Sequence, residues 1–423
     1  MHTEDGNCRP VILLGYSMAW LNALATFMPE RSVVVVEEPE VVVKRGIRTQ
    51  LGKSPMLRQL IEWEYHLDGM ADAFVNAHPA LGPSAVIPVV EYSVPFAARL
   101  AERYGVPGAT YGAARLLRDK GLLRAVTSAA GIPNPRSVAV EGPDDVRAFM
   151  AEVAGPVVLK PANRQASVGT MLVYDPAEVD TSWQECVDDQ EEGVFFPDRP
   201  VPVRMLAERL LRGEEYSVEM TVRGGSPVFG AVTRKFLFDG PRPVERGHLH
   251  PADIDDVLRT RLLADTARVL DAVGMDTGFA HCEWIVESGV PHLVECAGRL
   301  PGDYIMDIIE AAWQWGLFRQ YCTLMRGEPL EEPPAAASGY AAVWMAHAAA
   351  GEVESVDGVE EAEAVAGVQR CMVSVEPGGR TNELRSSWDR VVAVISEGPT
   401  PAAALAAAQR AVDLITIKTR PYL

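Results

Sequence analysis

Two acidic residues, Glu283 and Glu295, lie inside short apolar runs of HCEWIVESGVPHLVECAGRLPGD, residues 281–303. The stretch predicts two strands, His281–Val286 and Val290–Cys296, joined by a turn at Glu287-Ser288-Gly289. Side chains alternate along a strand, so an odd-numbered loop puts both carboxylates on one face. A two-residue loop puts them on opposite faces. Like charges directly across a ladder are destabilising. At about 4 Å they repel by about 4 kcal/mol for an effective dielectric near 20. Such a pair needs a cation. Mg²⁺ suits it: a hard ion that prefers oxygen and usually binds through one or two carboxylates plus substrate phosphates. Arg299, in the tight RLPGD segment that follows, could make paired hydrogen bonds to phosphate.

Other chemistry-bearing residues precede this hairpin. Lys160 ends an apolar run in VVLKP, where an ammonium without a partner would be costly. The loop after it, Ala162–Thr170, holds Ser167 and Gly169 and can fold backbone N–H groups over phosphates. Lys120 sits in LRDKGLL. In ERLLRGEEYSVE, Glu208 ends one strand and Glu215 opens the next. Backbone at such a crossover can read an adenine edge, and a nearby carboxylate can take both ribose hydroxyls. VERGHLHPAD places Glu245, His248 and His250 in a predicted loop. A zinc reading there lacks a third ligand at convincing spacing. Each feature alone has a plain alternative: a snorkelling lysine, a solvated helix, a surface hairpin.

The elements that must position these residues are legible in outline. Val11–Leu14, Val33–Val36 and Val86–Val90 read as buried strands separated by helical stretches, the first of which carries Trp20, Leu21, Leu24 and Phe27. This predicts a parallel sheet covered on both faces, with a ligand at the carboxyl ends of its strands. Gly15, Glu37 and Glu91 fall at such ends. The GYSMAW turn has a single glycine and is not a dinucleotide fingerprint. A helix is predicted over Leu116–Ala130, stopped by Gly131-Ile132-Pro133. Two strand–loop–strand units follow, the second with Tyr216, Val218, Met220 and Val222 on one face. After RLPGD, Ile305, Ile308, Ile309 and Ala312 recur at helical spacing. EPLEEPPAAASG, residues 328–339, reads as a linker. Short strands and an Ala-rich helix near Ala402–Leu414 follow it.

The bulk composition agrees. The chain has 423 residues, enough for several domains, with 48% hydrophobic and 23% charged residues, as expected of a soluble protein. A net charge of −19 argues against nucleic acid and against an anionic membrane surface. The six cysteines show no CxxC spacing, the N-terminal MHTEDGNCRP is polar, and no apolar run approaches the ~20 residues of a membrane span. A reduced, cytoplasmic protein is expected.

Taken in order, Lys120, Lys160, the hinge of form E-x-L-L-x-G-x-E from Glu208 to Glu215, Glu283, Glu295 and Arg299 resemble the ATP-grasp superfamily. Within it the chain looks most like the L-amino-acid ligases, which join two amino acids. The E-x-x-H of Glu245 and His248 and the C-terminal tail favour that subgroup. The resemblance implies an α/β and α+β multidomain fold. Residues 1–110 would form an N-terminal βαβ domain and 111–205 a first ATP-grasp subdomain with its lid. Residues 206–330 would form a second subdomain with the metal site, and 331–423 a small C-terminal α+β domain.

The resemblance also implies roles. Lys120 and Lys160 would hold ATP phosphates, with Ser167 and Gly169 in the covering loop. Glu208 and Leu210 would contact adenine and Glu215 the ribose. Glu283 and Glu295 would bind Mg²⁺ or Mn²⁺. Glu91, Glu245, His248 and Arg299 would shape the amino-acid pocket. Arg299 and Lys160 would offset charge in the transferring phosphoryl group, with His248 as candidate base. The superfamily usually has Asn two residues after the second metal Glu; here it is Ala297, which offers no ligand. The partners implied are ATP and amino-acid or carboxylate substrates, neither nucleic acid nor membrane, and a homodimer is admitted. The expected activity is an ATP-dependent carboxylate–amine ligase working through an acyl phosphate. Two alternatives stay open: a carboxylase acting through carboxyphosphate, and a non-catalytic nucleotide-binding protein.

Overall fold

The structure, a computed structural model, describes residues 9–67, 69–189 and 203–422. Strands β1 (Val11–Leu14), β2 (Val33–Glu37), β3 (Leu57–Glu62) and β4 (Ala85–Pro88) form a parallel sheet in the order β3-β2-β1-β4. All of β1 and β2 is buried. Each such Val or Leu contributes about 1.5–3 kcal/mol relative to exposure, which explains the unbroken apolar runs. The last strand ends at Pro88 rather than Val90, and Glu91 opens a 3₁₀ turn, Glu91–Ser93, at the carboxyl edge of the sheet.

The predicted helix Leu116–Ala130 is in fact two, Tyr111–Leu117 and Lys120–Ala129. Asp119 breaks it: its extended backbone and its side chain, which accepts from the Leu122 N–H, make it the N-cap of the second helix. A capping Asp inside an otherwise helical pattern is the signal that periodicity alone overlooks. The break sets Lys120 on the first turn, where its N–H donates to the Ala162 carbonyl at 2.9 Å.

A second, antiparallel sheet follows, of β5 (Ser137–Val140), β6 (Val157–Pro161), β7 (Met171–Val173) and β8 (Met205–Arg209), in the order β5-β8-β6-β7. The third sheet begins with β9 (Glu214–Arg223), β10 (Ser226–Leu237), β11 (Glu245–His250), β12 (Gly278–Glu287) and β13 (Val290–Ala297). The chain continues through β14 (Tyr340–His347), β15 (Gly351–Asp357), β16 (Val368–Val373), β17 (Arg380–Thr381), β18 (Arg390–Gly398) and β19 (Thr416–Arg420). The large sheet runs β13-β12-β9-β10-β11-β14-β18-β16, while β15, β17 and β19 form a small one. Residues 331–339 hold neither helix nor strand, yet β14 pairs with β11, so the sheet continues across the linker.

The two faces of this sheet differ in kind. Tyr216, Val218, Met220 and Val222 of β9 share one face with Ala280, Cys282 and Trp284 of β12 and pack with Leu262, Val269 and Leu270 of helix Asp256–Val273. The alternate residues, Glu215, Ser217 and Glu219 with His281 and Glu283, form a polar face that is nonetheless largely buried. Buried polar groups persist only with partners, and this face carries the site.

Candidate active site

Glu283 and Glu295 are register partners across β12 and β13, so both carboxylates leave the sheet on the same side. The turn is shorter than expected: Glu287 pairs with Val290, and Ser288 and Gly289, both at positive φ, make a two-residue hairpin. By parity alone that would separate the carboxylates. A β-bulge between Glu283 and Trp284 restores them, because Leu293 pairs with Trp284, Glu295 with Glu283, and Val294 is the extra residue.

Lys120, Lys235 and His281 make the pair tolerable. Lys120 Nζ lies 2.9 Å from Glu295. Lys235 Nζ, from β10, lies 2.7 Å from Glu283, 2.8 Å from Glu215 and 3.4 Å from Glu245. His281 bridges from the other side, 2.8 Å from Glu219 and 3.2 Å from Glu283. Burial opposes charge on Lys235 and Glu283, but there the mutual attractions win. Lys235 is held well above the usual lysine range, and Glu283 well below the usual carboxylate range by Lys235 and His281. Glu215 is pushed up by burial and by its carboxylate neighbours.

On the second sheet Lys160 Nζ lies 2.7 Å from Glu208, which Arg124 also grips, at 2.9 and 3.2 Å. Burial would raise Glu208, yet Arg124 and Lys160 outweigh it and bring it to about 2. The Glu208 carboxylate is therefore committed to cations. Burial lowers Lys160 despite that partner. Leu210 lines the cavity, as do Glu208 and Glu215. Gly213 of the hinge is required sterically, since a Cβ there would sit 2.0 Å from the Val286 carbonyl oxygen.

The loop 162–170 closes over these lysines. Lys120 Nζ donates to the Arg164 carbonyl at 2.8 Å and Arg118 to that of Asn163 at 2.8 Å. Ser167, at φ +58, donates its hydroxyl to the Pro243 carbonyl at 2.9 Å. Gly169, at φ +68, does not line the cavity; a Cβ on it would lie 2.8 Å from the Cys186 carbonyl oxygen. Its role in the loop is conformational.

At the carboxyl edge of the first sheet, Glu91 is buried and paired with Arg299 at 2.6 Å and Arg118 at 3.5 Å. Burial pushes it up, but Arg299, Arg118 and Lys120 prevail and hold it low. Glu245, His248 and His250 lie on strand β11 rather than in a loop. His248 is fully buried, with Nε2 3.2 Å from Asp303 and Nδ1 without a partner. Asp303 takes two hydrogen bonds from Arg390, at 2.9 and 2.5 Å. Despite burial, Arg390 and His248 hold Asp303 well below the carboxylate range. Asp303 and Tyr304 both have left-handed φ, +57 and +61°. Such backbone costs about 1–3 kcal/mol per residue, and the Arg390 bonds offset it. His250 belongs to the wall beneath, bonded to Thr233 and Trp313.

Lys120, Lys160, Glu215, Glu245, His248, Glu283, Glu295 and Arg299 all line one cavity of about 1080 Å³. Residues 153–307 match the ATP-grasp domain family, and residues 343–420 match the L-amino acid ligase C-terminal domain 2. The chain carries an ATP-grasp domain joined to an L-amino acid ligase C-terminal domain. It is 23% identical to alanine–anticapsin ligase of Bacillus subtilis over 70% of this chain and 68% of that protein. Its fold is shared with the L-amino acid ligase of Bacillus licheniformis, at a TM-score of 0.79 and 16% identity over 97% of this chain and 99% of that one. The biotin carboxylase domain of a Hydrogenobacter thermophilus 2-oxoglutarate carboxylase gives 0.68 at 14% identity, over 98% and 91%. The ATP-grasp match spans Lys160 to Arg299, and the C-terminal match supplies Arg390.

Lys235, Asp303, Arg390, Arg118 and Arg124 also hold the site's charged groups, without a clear sequence motif. Lys235 carried a faint signal, since Ala231, Thr233 and Lys235 alternate on one face of β10. Arg390 carried none, because it reaches the cavity only through the pairing of β14 with β18. Among the described residues no group of three or more His, Cys, Asp or Glu could hold a metal alone. The pair Glu283 and Glu295 still fits Mg²⁺ when phosphate oxygens complete the shell, whereas Ala297 adds no ligand. The five described cysteines are free thiols, and Cys8 lies outside the described residues. No helix among the described residues is long and apolar enough to cross a membrane.

Proposed function

We propose that this chain is an ATP-dependent carboxylate–amine ligase that joins an amino acid, or a similar carboxylate, to an amine or second amino acid. The observation that carries the reading is the convergence of two lysines, a facing carboxylate pair and an arginine with the Glu245/His248 pair on one cavity. The substrate carboxylate attacks the γ-phosphorus of ATP. A P–O bond forms, the bond to the β-phosphate bridge breaks, and ADP leaves with an acyl phosphate bound. The amine then adds to the acyl carbon, and the C–O bond to phosphate breaks.

Each residue has a part. Lys120 and Lys160 bind the phosphates, and Arg299, held by Glu91, faces the charge that spreads during transfer. Glu283 and Glu295 would hold Mg²⁺, or Mn²⁺ in its place, with phosphate oxygens. When bound, that ion neutralises developing negative charge. The loop 162–170 excludes water from the acyl phosphate. Leu210 and the hinge backbone lie against adenine, and Glu215 takes the ribose. His248 donates through Nε2 to Asp303, which leaves Nδ1 as an acceptor for the amine's proton. Glu245 binds the substrate's ammonium. We place the protein in the cytoplasm, where ATP and amino acids are abundant.

The test is ADP and phosphate release with Mg-ATP over all pairs of amino acids, with mass spectrometry of products. Release that requires an amino-acid pair and yields an amide supports the reading. Release that requires bicarbonate instead would assign the chain to carboxylase chemistry.

A further inference from the structure

The segment before β18 joins the lid to the amino-acid site through one residue. Ser387 donates its backbone N–H to the Ala166 carbonyl of the lid loop at 3.1 Å. Its hydroxyl donates to Glu245 Oε2 at 2.8 Å. Its carbonyl accepts from Arg390 Nε at 2.8 Å, and Arg390 in turn binds Asp303 and the Glu245 carbonyl. Every polar group of Ser387 is thus used, two of them on parts of the chain that ligation requires to act together. Local structure fixes the residue. Ser386 caps the turn Ser387–Asp389 by accepting from Trp388 N–H, and Asp389 caps back to Ser386.

We propose that Ser387 is a positioning residue that couples the amino-acid subsite to lid closure: its hydroxyl orients Glu245, and its N–H holds the loop 162–170 shut. This rests on the ligase reading for its chemistry, though not for its geometry. If the N–H bond is lost, water reaches the acyl phosphate and adds to the acyl carbon. The C–O bond to phosphate breaks, and the acid and phosphate are released with a proton to solvent. ATP is then consumed without an amide.

The two bonds separate by substitution. Ser387→Ala removes only the hydroxyl. Ser387→Pro also removes the N–H, and the site accepts proline: the residue is the first of a helical turn, and Ser386 is already extended at φ −150 and ψ 175. Ser387→Thr keeps both bonds and serves as rescue. With the amino-acid pair most active in the wild type, Ser387→Ala should raise the KM of the amino acid bound by Glu245 about tenfold, the worth of one hydrogen bond to a charged group. Phosphate released per amide should stay at about one, as water remains excluded. Ser387→Pro should raise that ratio severalfold. Hydrogen exchange of the lid peptide with β,γ-imido-ATP and Mg²⁺ should show protection in wild type, Thr and Ala proteins and its loss in the Pro protein. Equal protection in the Pro protein, or an unchanged phosphate-to-amide ratio in it, overturns the clamp. If the wild type makes no amide from any pair, the ligase reading fails while lid exchange still decides the clamp.

Discussion

Glu283 and Glu295 stand opposite one another on one face of the sheet because Val294 is an extra residue in the ladder. The hairpin turn alone would have sent them to opposite faces. Lys235 lies 2.7 Å from Glu283 and Lys120 2.9 Å from Glu295, so each carboxylate faces a cation. A bulge beside an active site re-aims a side chain at the cost of one ladder bond.

Removing one of these acids should therefore stop the chemistry and leave the fold. In Glu283→Ala, kcat for amino-acid-dependent ADP release should fall about a thousandfold, the equivalent of the several kcal/mol a carboxylate-held cation supplies. Chelation of divalent ions should do the same to the wild type. Turnover near the wild-type value in a folded Glu283→Ala protein would remove the residue from the mechanism.

Glu208 separates stability from binding. It is buried between Arg124 and Lys160, so Glu208→Gln leaves two cations poorly compensated and should destabilise by about 3–5 kcal/mol. Lys160→Met leaves Glu208 still paired with Arg124 and should weaken ATP binding more than stability. The wild-type contribution of Glu208 follows from its low value of about 2. It is complete above the ordinary value of 4.5 and is lost as pH falls from there toward 2. Urea unfolding of the three proteins at neutral and acid pH, with nucleotide titration, measures both effects. A Glu208→Gln protein as stable as wild type would refute the account.

What the sequence revealed and what it hid divide along a physical line. The strands β1, β2, β9, β12 and β13 were legible because burial imposes runs or alternation on consecutive residues. The lysines, the hinge and the hairpin acids were legible as an ordered series. The Asp119 break is hidden because a single cap outweighs helical periodicity. VERGHLHP lacks an apolar alternation, so nothing in the sequence marks His248 as a strand residue. Its strand is wedged between β10 and β14, with one face in the polar site. Arg390 and Ser387 meet Glu245 from about 140 residues away, and such long-range pairing leaves no local mark.

Asp303 joins His248 to Arg390, and its neutral isostere tests that chain of bonds. Asp303→Asn keeps the shape but loses the charge that receives two Arg390 bonds and the Nε2 of His248. The kcat/KM for the amino-acid substrate should fall about a hundredfold, as expected when a base loses its orienting group. ATP affinity should hold, because Asp303 touches neither lysine. A loss confined to ATP binding would show that Asp303 serves the nucleotide instead.

His250 provides a pH test away from the reacting groups. It is fully buried, and burial lowers it from 6.5 to about 4. It accepts from Trp313 Nε1 at 2.8 Å, which requires an uncharged Nε2. Between pH 6.5 and about 4 the unfolded chain binds a proton there that the folded protein does not. Stability should therefore fall as pH drops through that window, by about 1.4 kcal/mol per unit from this residue, with no further loss below it. His250→Gln forfeits hydrogen bonds and should be less stable than wild type at pH 7. It lacks the titration, so the gap should narrow by about 3 kcal/mol at pH 4, the product of that slope and the window. Urea midpoints at half-unit intervals measure the difference, and parallel curves for the two proteins would show that His250 is charged when folded.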